Sequence, residues 1–310
     1  MAEVHQLILD MGVDAARTLA FDKLDRQMVD AAFAVLSDES FKINILHSGF
    51  AMTALPHRSS KELIWERIGG RDGEIRLHVE SGHLADRTPT GLPLGSIARL
   101  ILIHLSSEAV KNNSRIVELG PSMNAFLRRM GVSHGGKTVT LIRDQSRRIS
   151  LCRLTFFSKR AKDTVVSTGS FIRNAIIPDG AFDDQPSIWN PTVELDEAFF
   201  NSLKEHPLPL RESAIKQLSG RSMAMDFYVF LAYRLHSLER PINISWKALY
   251  AQFGSGFSVQ RYFVREMKAP LQLALSAYPE ARVEITETGL VLHPSPSPVP
   301  KVFPRYKQTA

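Results

Sequence analysis

The order of helix-like and strand-like segments between residues 95 and 176 narrows the choice of fold more than any other feature. SIARLILIHLSSEAV (96–110) has apolar residues at helical spacing, which predicts an amphipathic helix with Ser96 as its N-cap. A short strand, SRIVELG, and two further helices, PSMNAFLRRM and KTVTLIRDQSRRISL, follow it. Two strands joined by the basic turn KRAKD come last. Helix, strand, helix, helix and hairpin is the element order of a winged helix, with a helix-turn-helix at its centre.

The second half of the chain repeats this order with less charge. SMAMDFYVFLAYRLHSL is apolar almost all round and predicts a central buried helix. SWKALYAQF predicts the next helix, and SVQRYFVREMKAPLQLALSAY predicts a last one that Ser258 caps and Pro270 kinks or breaks. ARVEITETGLVLHP predicts a hairpin, and the Pro-rich run after His293 is expected to remain extended or disordered without packing.

We therefore predict an α+β fold with two tandem winged-helix domains. Helical spacing also runs through residues 3–37, and IWERIGG and EIRLHVES flank the turn signal GGRDG, which predicts a hairpin. The predicted divisions are an N-terminal helical segment (1–45), a basic first winged-helix domain with its preceding hairpin (46–180), a second winged-helix domain (181–293) and a Pro-rich tail (294–310).

Positive charge is concentrated in one part of the sequence. The whole chain has a formal net charge of +6, whereas residues 95–160 alone hold 12 Lys and Arg against 3 Asp and Glu. Such clustering is typical of a polyanion binder, although a solvated basic face that improves solubility is the alternative. The single cysteine, the lack of a positively charged apolar leader and the shortness of the apolar runs predict a cytoplasmic protein.

GVSHGGKT (131–138) fits the nucleotide-binding loop pattern G-x-x-x-x-G-K-[ST] at every position. That loop works only where a buried strand enters it and a helix begins at its Lys and Thr. Here the preceding residues are the end of an amphipathic helix that carries Arg128 and Arg129, and no Asp-terminated strand follows to hold magnesium. We therefore interpret the segment as the turn of a helix-turn-helix, and the phosphates that its second helix could meet as those of DNA.

Residues 137–149 are the predicted recognition helix. Arg143 and Arg147 are four residues apart and share a face, so both can enter a major groove, where Arg can bind guanine bidentately. Arg148 follows Asp144 by four residues, so an intrahelical ion pair is as plausible for it as a DNA contact.

A weaker basic face is predicted in the second half, where an ordinary solvated helix surface is the alternative. The candidate DNA-binding residues are Arg128, Arg129, Lys137, Thr138, Thr140, Arg143, Arg147, Arg148, Arg261, Arg265 and Lys268.

The sequence predicts no enzyme, cofactor or metal site. It has no H-E-x-x-H motif and no paired Cys and His motif. His-x-His, which DNA-cutting enzymes with a Tyr nucleophile would need, is also missing, and the tyrosines are interpreted as structural. His104 lies in an apolar helical stripe and is predicted to be a packed core residue.

Several stretches resemble the plasmid replication initiators of the RepA type found in alphaproteobacteria. They extend from about residue 45 to 300, and the first forty residues hold no motif that we can place. The stretches are GLPLGSIARLILIHL, LGPSMNAFLRRMGVSHGGK, LIRDQSRRI, QPSIWNPTVELDEAFF, LPLRESAIKQLSGRSMAMDFYVFLAYRLHSLERPINISWKALYAQFG and YPEARVEITETGLVLHPSPSPV. The recognition segment differs from the usual pattern, since it has KTVTLI where relatives tend to carry a further Gly and Ile.

The resemblance implies that the protein binds repeated double-stranded sites at a plasmid origin, promotes strand opening and brings in the host initiator and helicase. Initiators of this kind often repress their own gene as dimers, so a homodimer is also implied. A winged-helix transcriptional repressor without a replication role would use the same helices. The second winged-helix half favours the initiator, because a simple dimeric repressor does not need it.

Overall fold

The computed structural model describes residues 3–70, 75–120, 123–133, 135–160, 163–176, 192–254 and 256–299. Within them the chain mixes helices with small antiparallel sheets. The helices are α1 Glu3–Met11, α2 Val13–Leu19, α3 Lys23–Leu36, α4 Gly49–Met52, α5 Gly95–Lys111, α6 Met123–Arg129, α7 Gly136–Leu151, α8 Glu197–Glu205, α9 Glu212–Gln217, α10 Ser222–Arg234, α11 Trp246–Phe253 and α12 Gln260–Ser276. The strands are β1 Ile43–His47, β2 Ile64–Gly69, β3 Ile75–Glu80, β4 Gly82–His83, β5 Pro89–Gly91, β6 Ile116–Glu118, β7 Arg153–Arg160, β8 Asp163–Ser170, β9 Ile172–Ile176, β10 Thr192–Leu195, β11 Pro207–Arg211, β12 Ile242–Ser245, β13 Val283–Ile285 and β14 Gly289–Leu292.

The first basic unit has the predicted element order: α5, β6, α6, α7 and the hairpin β7–β8. Strands β7 and β8 pair in antiparallel fashion, with Phe156 opposite Ser167. The predicted hairpin β2–β3 joins the same sheet, whose strand order is β2-β3-β7-β8. Strand β6 lies in a different sheet, of order β6-β10-β9.

Helix α5 differs from its prediction. It is buried on nearly every side rather than amphipathic, because α7, α8, α10 and strand β1 all pack against it. It also begins two residues earlier than expected, at Gly95, so Ser96 lies within its first turn and is not the cap. The N-cap is Leu94, whose backbone N–H donates to Gln145 Oε1 of α7 at 2.7 Å.

The second unit contains α10, β12, α11, α12 and the hairpin β13–β14, with the strand order β12-β14-β13. Helix α10 is the predicted buried helix, and the side chain of Ser245 caps α11. The N-cap of helix α12 is Val259 and not the predicted Ser258. The helix continues past Pro270 to Ser276, so the predicted break there is wrong, whereas the predicted kink stays a prediction. Apolar residues on both sides of Pro270 are buried, and this packing against α10 and α3 outweighs the one backbone hydrogen bond that proline cannot donate.

The predicted N-terminal helical region forms three helices. Gly12 (φ +81°) separates α1 from α2, and Asp22 caps α3 by accepting from the N–H of Asp25. Helix α3 packs against α9 and α12, and His5 Nε2 of α1 lies 2.8 Å from the carbonyl oxygen of Ser276. The segment is therefore attached to the second unit.

Residues 294–299 pack against the second unit. The prediction that this Pro-rich run would not pack is therefore wrong. Ser295 N–H donates to Leu235 O, and Tyr278 Oη donates to Pro296 O at 2.6 Å. Arg211 Nε donates to Pro298 O at 3.1 Å, and Val299 is buried. Prolines lack an N–H but keep their carbonyls, so this extended segment is held through its acceptors. Residues 300–310 lie outside the described residues. In the described part of the chain, none of the helices is long and apolar enough to cross a membrane.

Candidate nucleic-acid interface

The turn between α6 and α7 is fixed by a hydrogen-bonded helix end. Val132 N–H donates to Leu127 O at 3.0 Å and Gly131 N–H donates to Arg128 O at 3.2 Å, which is the Schellman pattern. Gly131 has φ +69°, and a Cβ there would lie 2.8 Å from Lys216 Cγ of α9. Both the backbone angle and the close approach of α9 therefore require glycine at this position.

The element that precedes the Gly-rich motif GVSHGGKT is a helix. Helix α6, and not a buried strand, delivers the chain to Gly131, so the motif lacks the strand that a nucleotide-binding loop needs. Ser219 Oγ also donates to Gly131 O at 3.0 Å, which attaches the turn to the second unit. His134, in the middle of the motif, lies outside the described residues.

The N-terminus of α7 is open. Gly135 is its N-cap in an extended conformation, and no described side chain caps the helix. A Cβ on Gly135 or Gly136 would meet no described atom within 4 Å, so internal packing does not require glycine at either position. Lys137 and Thr140 are exposed and Thr138 is half-buried, while Thr140 Oγ1 donates to Gly136 O at 3.0 Å. The first N–H groups of α7 are thus accessible to an external anion.

The two sides of α7 have different roles. Ile142, Gln145 and Ile149 form its buried face against the first unit, as the helical spacing predicts for the two isoleucines. Arg147 is exposed and Arg143 is half-buried, and their i, i+4 spacing places them on the same face. Arg128 and Arg129 are exposed in the last turn of α6.

Arg147 and Arg148 of α7 both contact Asp144 but differ in how firmly the protein holds them. Asp144 Oδ2 accepts from Arg148 Nε at 2.8 Å, and Arg148 Nη1 donates to Leu92 O at 3.1 Å. Arg148 thus forms the intrahelical pair that the sequence left open, and it also binds the protein backbone. Arg147 lies 3.2 Å from Asp144 Oδ1 but is 51% exposed, so that ion pair is weak and can be exchanged.

Several cations of residues 95–160 are neutralised by acids from outside this block. Arg99 is buried and binds Asp226 of α10 through two hydrogen bonds of 2.6 Å. Arg115 pairs with Glu194 at 3.1 Å and with Glu197 at 3.4 Å. The charge count of residues 95–160 therefore overstates how basic the surface is. It leaves out acidic residues that are distant in sequence but lie beside these arginines in the fold.

The second candidate set lies on α12. Arg261, Arg265 and Lys268 are all exposed, opposite the buried Phe263 and Met267, as predicted. These cations share the outer face of one helix, whereas the first set spans α6 and α7.

A sequence model of the family described as plasmid encoded RepA protein matches residues 92–248, just over half of the 310-residue chain. The chain belongs to this RepA family. The match covers the structure from just before α5 into α11, and so includes the whole α6–α7 interface; α12 lies beyond it.

One solved structure has a similar fold to this RepA-family chain, and a second gives a weaker match. A crystal structure of selenomethionine derivatives of domains 2 and 3 of RctB gives a TM-score of 0.52 at 11% identity, covering 82% of this chain and 99% of that one. A crystal structure of RctB domains 2–3 (RctB-155-483) gives a TM-score of 0.49 at 11% identity, covering 77% and 92%. No curated protein sequence matches the chain.

One exposed aromatic of the RepA-family chain escaped the sequence interpretation, which treated the tyrosines as structural. Tyr262 is 40% exposed, and its ring lies 5.6 Å from Arg261 Cζ and 5.4 Å from Arg265 Cζ. An aromatic ring between two arginines at i−1 and i+3 is the signal that identifies it.

Two buried titratable groups, His104 and Cys152, lie near the interface. His104 is 5% exposed, as predicted for a core residue, and packs edge-on against Phe126. Burial, with the nearby Arg129, lowers the pKa of His104 to about 4. Burial likewise raises the pKa of the Cys152 thiol to about 12, which keeps it protonated at neutral pH.

Proposed function

We propose that this protein is a sequence-specific double-stranded DNA-binding initiator of plasmid replication. The observation that carries the proposal is α7, which has an open N-terminus, an outer face with Arg143 and Arg147, and an inner face held by Ile142 and Ile149. A helix of this kind, preceded by a fixed turn, can lie in a major groove with its first residues against base edges and phosphates. Membership of the RepA family supports the replication role.

Within this proposal the cations have separate tasks. Arg128, Arg129, Lys137 and Thr138 contact phosphates, because they surround the open start of α7. Bases are read by Arg143 and Arg147, with Thr140 beside them. Arg148 supports the interface from within, since its guanidinium is already bonded to Asp144 and Leu92.

We further propose that both units are winged helices and that the second contributes Arg261, Arg265 and Lys268 to DNA binding. Its element order and the pairing of its first strand with its last support this interpretation. Two such units on one chain suit the repeated sites of an origin. Strand opening, recruitment of the host initiator and helicase, autorepression as a homodimer and a cytoplasmic, plasmid-associated location follow from the same proposal, which includes no catalysis and no cofactor.

A nuclease footprint of the purified protein on the DNA that flanks its own gene tests this function. Several evenly spaced protected sites are the expected result for an initiator. A single protected palindrome would instead identify a transcriptional repressor, and uniform weak protection would show that α7 reads no sequence. Plasmid maintenance by the full-length chain with Arg261→Ala, Arg265→Ala and Lys268→Ala separates the first two outcomes, because the proposed initiator needs these contacts of the second unit for replication and a repressor does not.

A further inference from the structure

A cavity of about 850 Å³ lies next to the turn that leads into α7. Its walls come from β1, α5, α9 and the residues that end α6, Arg129 and Met130. This volume lies within the range of about 300–1,000 Å³ that is usual for small-molecule sites. The function proposed above leaves the cavity without a role.

The inner wall of the cavity is mainly apolar. Leu100, Ile103, Ile215 and Met130 line it and are buried. His104 also lines it, and its buried Nε2 has no hydrogen-bond partner in the described part of the chain. Burial lowers the pKa of His104, so its imidazole is neutral at pH 7. Its Nε2 can therefore form one hydrogen bond with a ligand without placing a charge in the apolar wall.

The mouth of the cavity is positively charged. Lys42, just before β1, and Lys111, in the last turn of α5, are both exposed and form no ion pair with the described residues. The other charged groups are mutually paired, since Arg129 lies 3.8 Å from Glu108 and Lys216 binds Glu212. The two lysines therefore give the mouth a net positive charge that no acidic group of the described residues pairs with.

We propose that this cavity binds a small organic anion with an apolar tail. The tail packs against Leu100, Ile103 and Ile215, and the anionic head lies between Lys42 and Lys111. The apolar walls exclude a fully polar ligand such as a nucleotide triphosphate, because its polar groups would lose water without gaining partners. The site does not depend on the proposed DNA binding, and it can be tested without DNA.

Isothermal titration with three ligands that each carry a ten-carbon chain, each kept below its aggregation concentration, tests the proposal. Decanoate supplies the anion, decanol the neutral head and decyltrimethylammonium the cation. We expect decanoate to bind one to one and about tenfold more tightly than decanol, as two partly exposed charge contacts would give, and the cation to bind least. Equal affinity for decanoate and decanol, or no saturable binding of decanoate, would overturn the proposal.

Three variants test whether the ligand binds in this cavity. The double variant Lys42→Gln/Lys111→Gln is expected to bind decanoate about as weakly as the wild type binds decanol. Its matched control, Lys61→Gln/Lys247→Gln, removes two exposed lysines that do not line the cavity and is expected to keep the wild-type affinity. Val110→Trp adds a larger side chain at a half-buried position of the wall and should weaken the binding of decanoate and of decanol. Unchanged decanoate binding in the first and third variants, or an equal loss in the control, would show that the anion binds elsewhere.

Discussion

Arg147 and Arg148 are neighbours on α7 with different surroundings, so their truncation should affect different properties. Arg147 is 51% exposed and lies 3.2 Å from Asp144, and exposed pairs of this kind contribute about 0.2–1 kcal/mol. Arg147→Ala should therefore lower the free energy of unfolding by less than about 1 kcal/mol. If Arg147 reads a base, the same change should weaken binding to the specific site by about 1–3 kcal/mol, or about 5- to 150-fold.

Arg148→Ala should show the converse pattern. The side chain is 19% exposed and donates to both Asp144 and Leu92 O, and its loss leaves the Leu92 carbonyl without this donor. Hydrogen bonds that involve a charged group contribute about 1.5–3 kcal/mol, so we expect the free energy of unfolding to fall by about 2–3 kcal/mol. The preference for specific over random DNA should remain unchanged, because the guanidinium does not face the groove.

Two measurements on the same preparations separate the roles. Fluorescence anisotropy at one fixed salt concentration gives the affinity for the footprinted site and for random DNA of equal length, and urea unfolding gives the stability. An equal loss of affinity on both DNAs for Arg147→Ala would assign that side chain to a phosphate. If Arg148→Ala reduced specificity without reducing stability, the division of the two arginines by Asp144 would be refuted.

Three other perturbations follow from the structure. Lys137→Ala should weaken binding to all DNA sequences alike and reduce the slope of log affinity against log salt by about 0.9, measured by anisotropy over a salt series. Asp226→Ala should lower the free energy of unfolding by about 3–5 kcal/mol, because it leaves the buried Arg99 uncompensated, and Arg99→Met/Asp226→Leu should recover most of that loss in the same urea assay. Gly131→Ala should cost about 1–2 kcal/mol of stability from its positive φ, and more if Lys216 cannot move, as thermal unfolding would report.

The local pattern of the sequence predicted most of the elements. The helices that end at Arg129 and begin near Lys137 were identified from their apolar spacing, and Gly131 between them was recognised as a helix stop. Each of these features depends on residues within a few positions of one another. The same holds for the hairpins β2–β3 and β13–β14, whose turn residues lie between their strands.

The expectations that were wrong depended on contacts with distant residues. The cap of α5 is completed by Gln145, fifty-one positions away from Leu94, so the nearby Ser96 was a misleading signal. Pro270 was expected to kink or break α12, and the break is wrong because burial of the helix on both sides of Pro270 keeps the helix continuous. The Pro-rich residues 294–299 pack because Arg211 and Tyr278 donate to their carbonyls, and neither donor can be recognised from the composition of the segment.

The charge of the candidate site also depends on distant residues that the local sequence does not reveal. Arg99 and Arg115 contributed to the local excess that first suggested a polyanion partner, yet Asp226, Glu194 and Glu197 neutralise them within the fold. What remains is a smaller exposed set at the end of α6 and on the outer face of α7, around a helix N-terminus that no described side chain fills. Because a groove is read by a few correctly placed donors, this smaller set is a more specific basis for DNA recognition than the total charge.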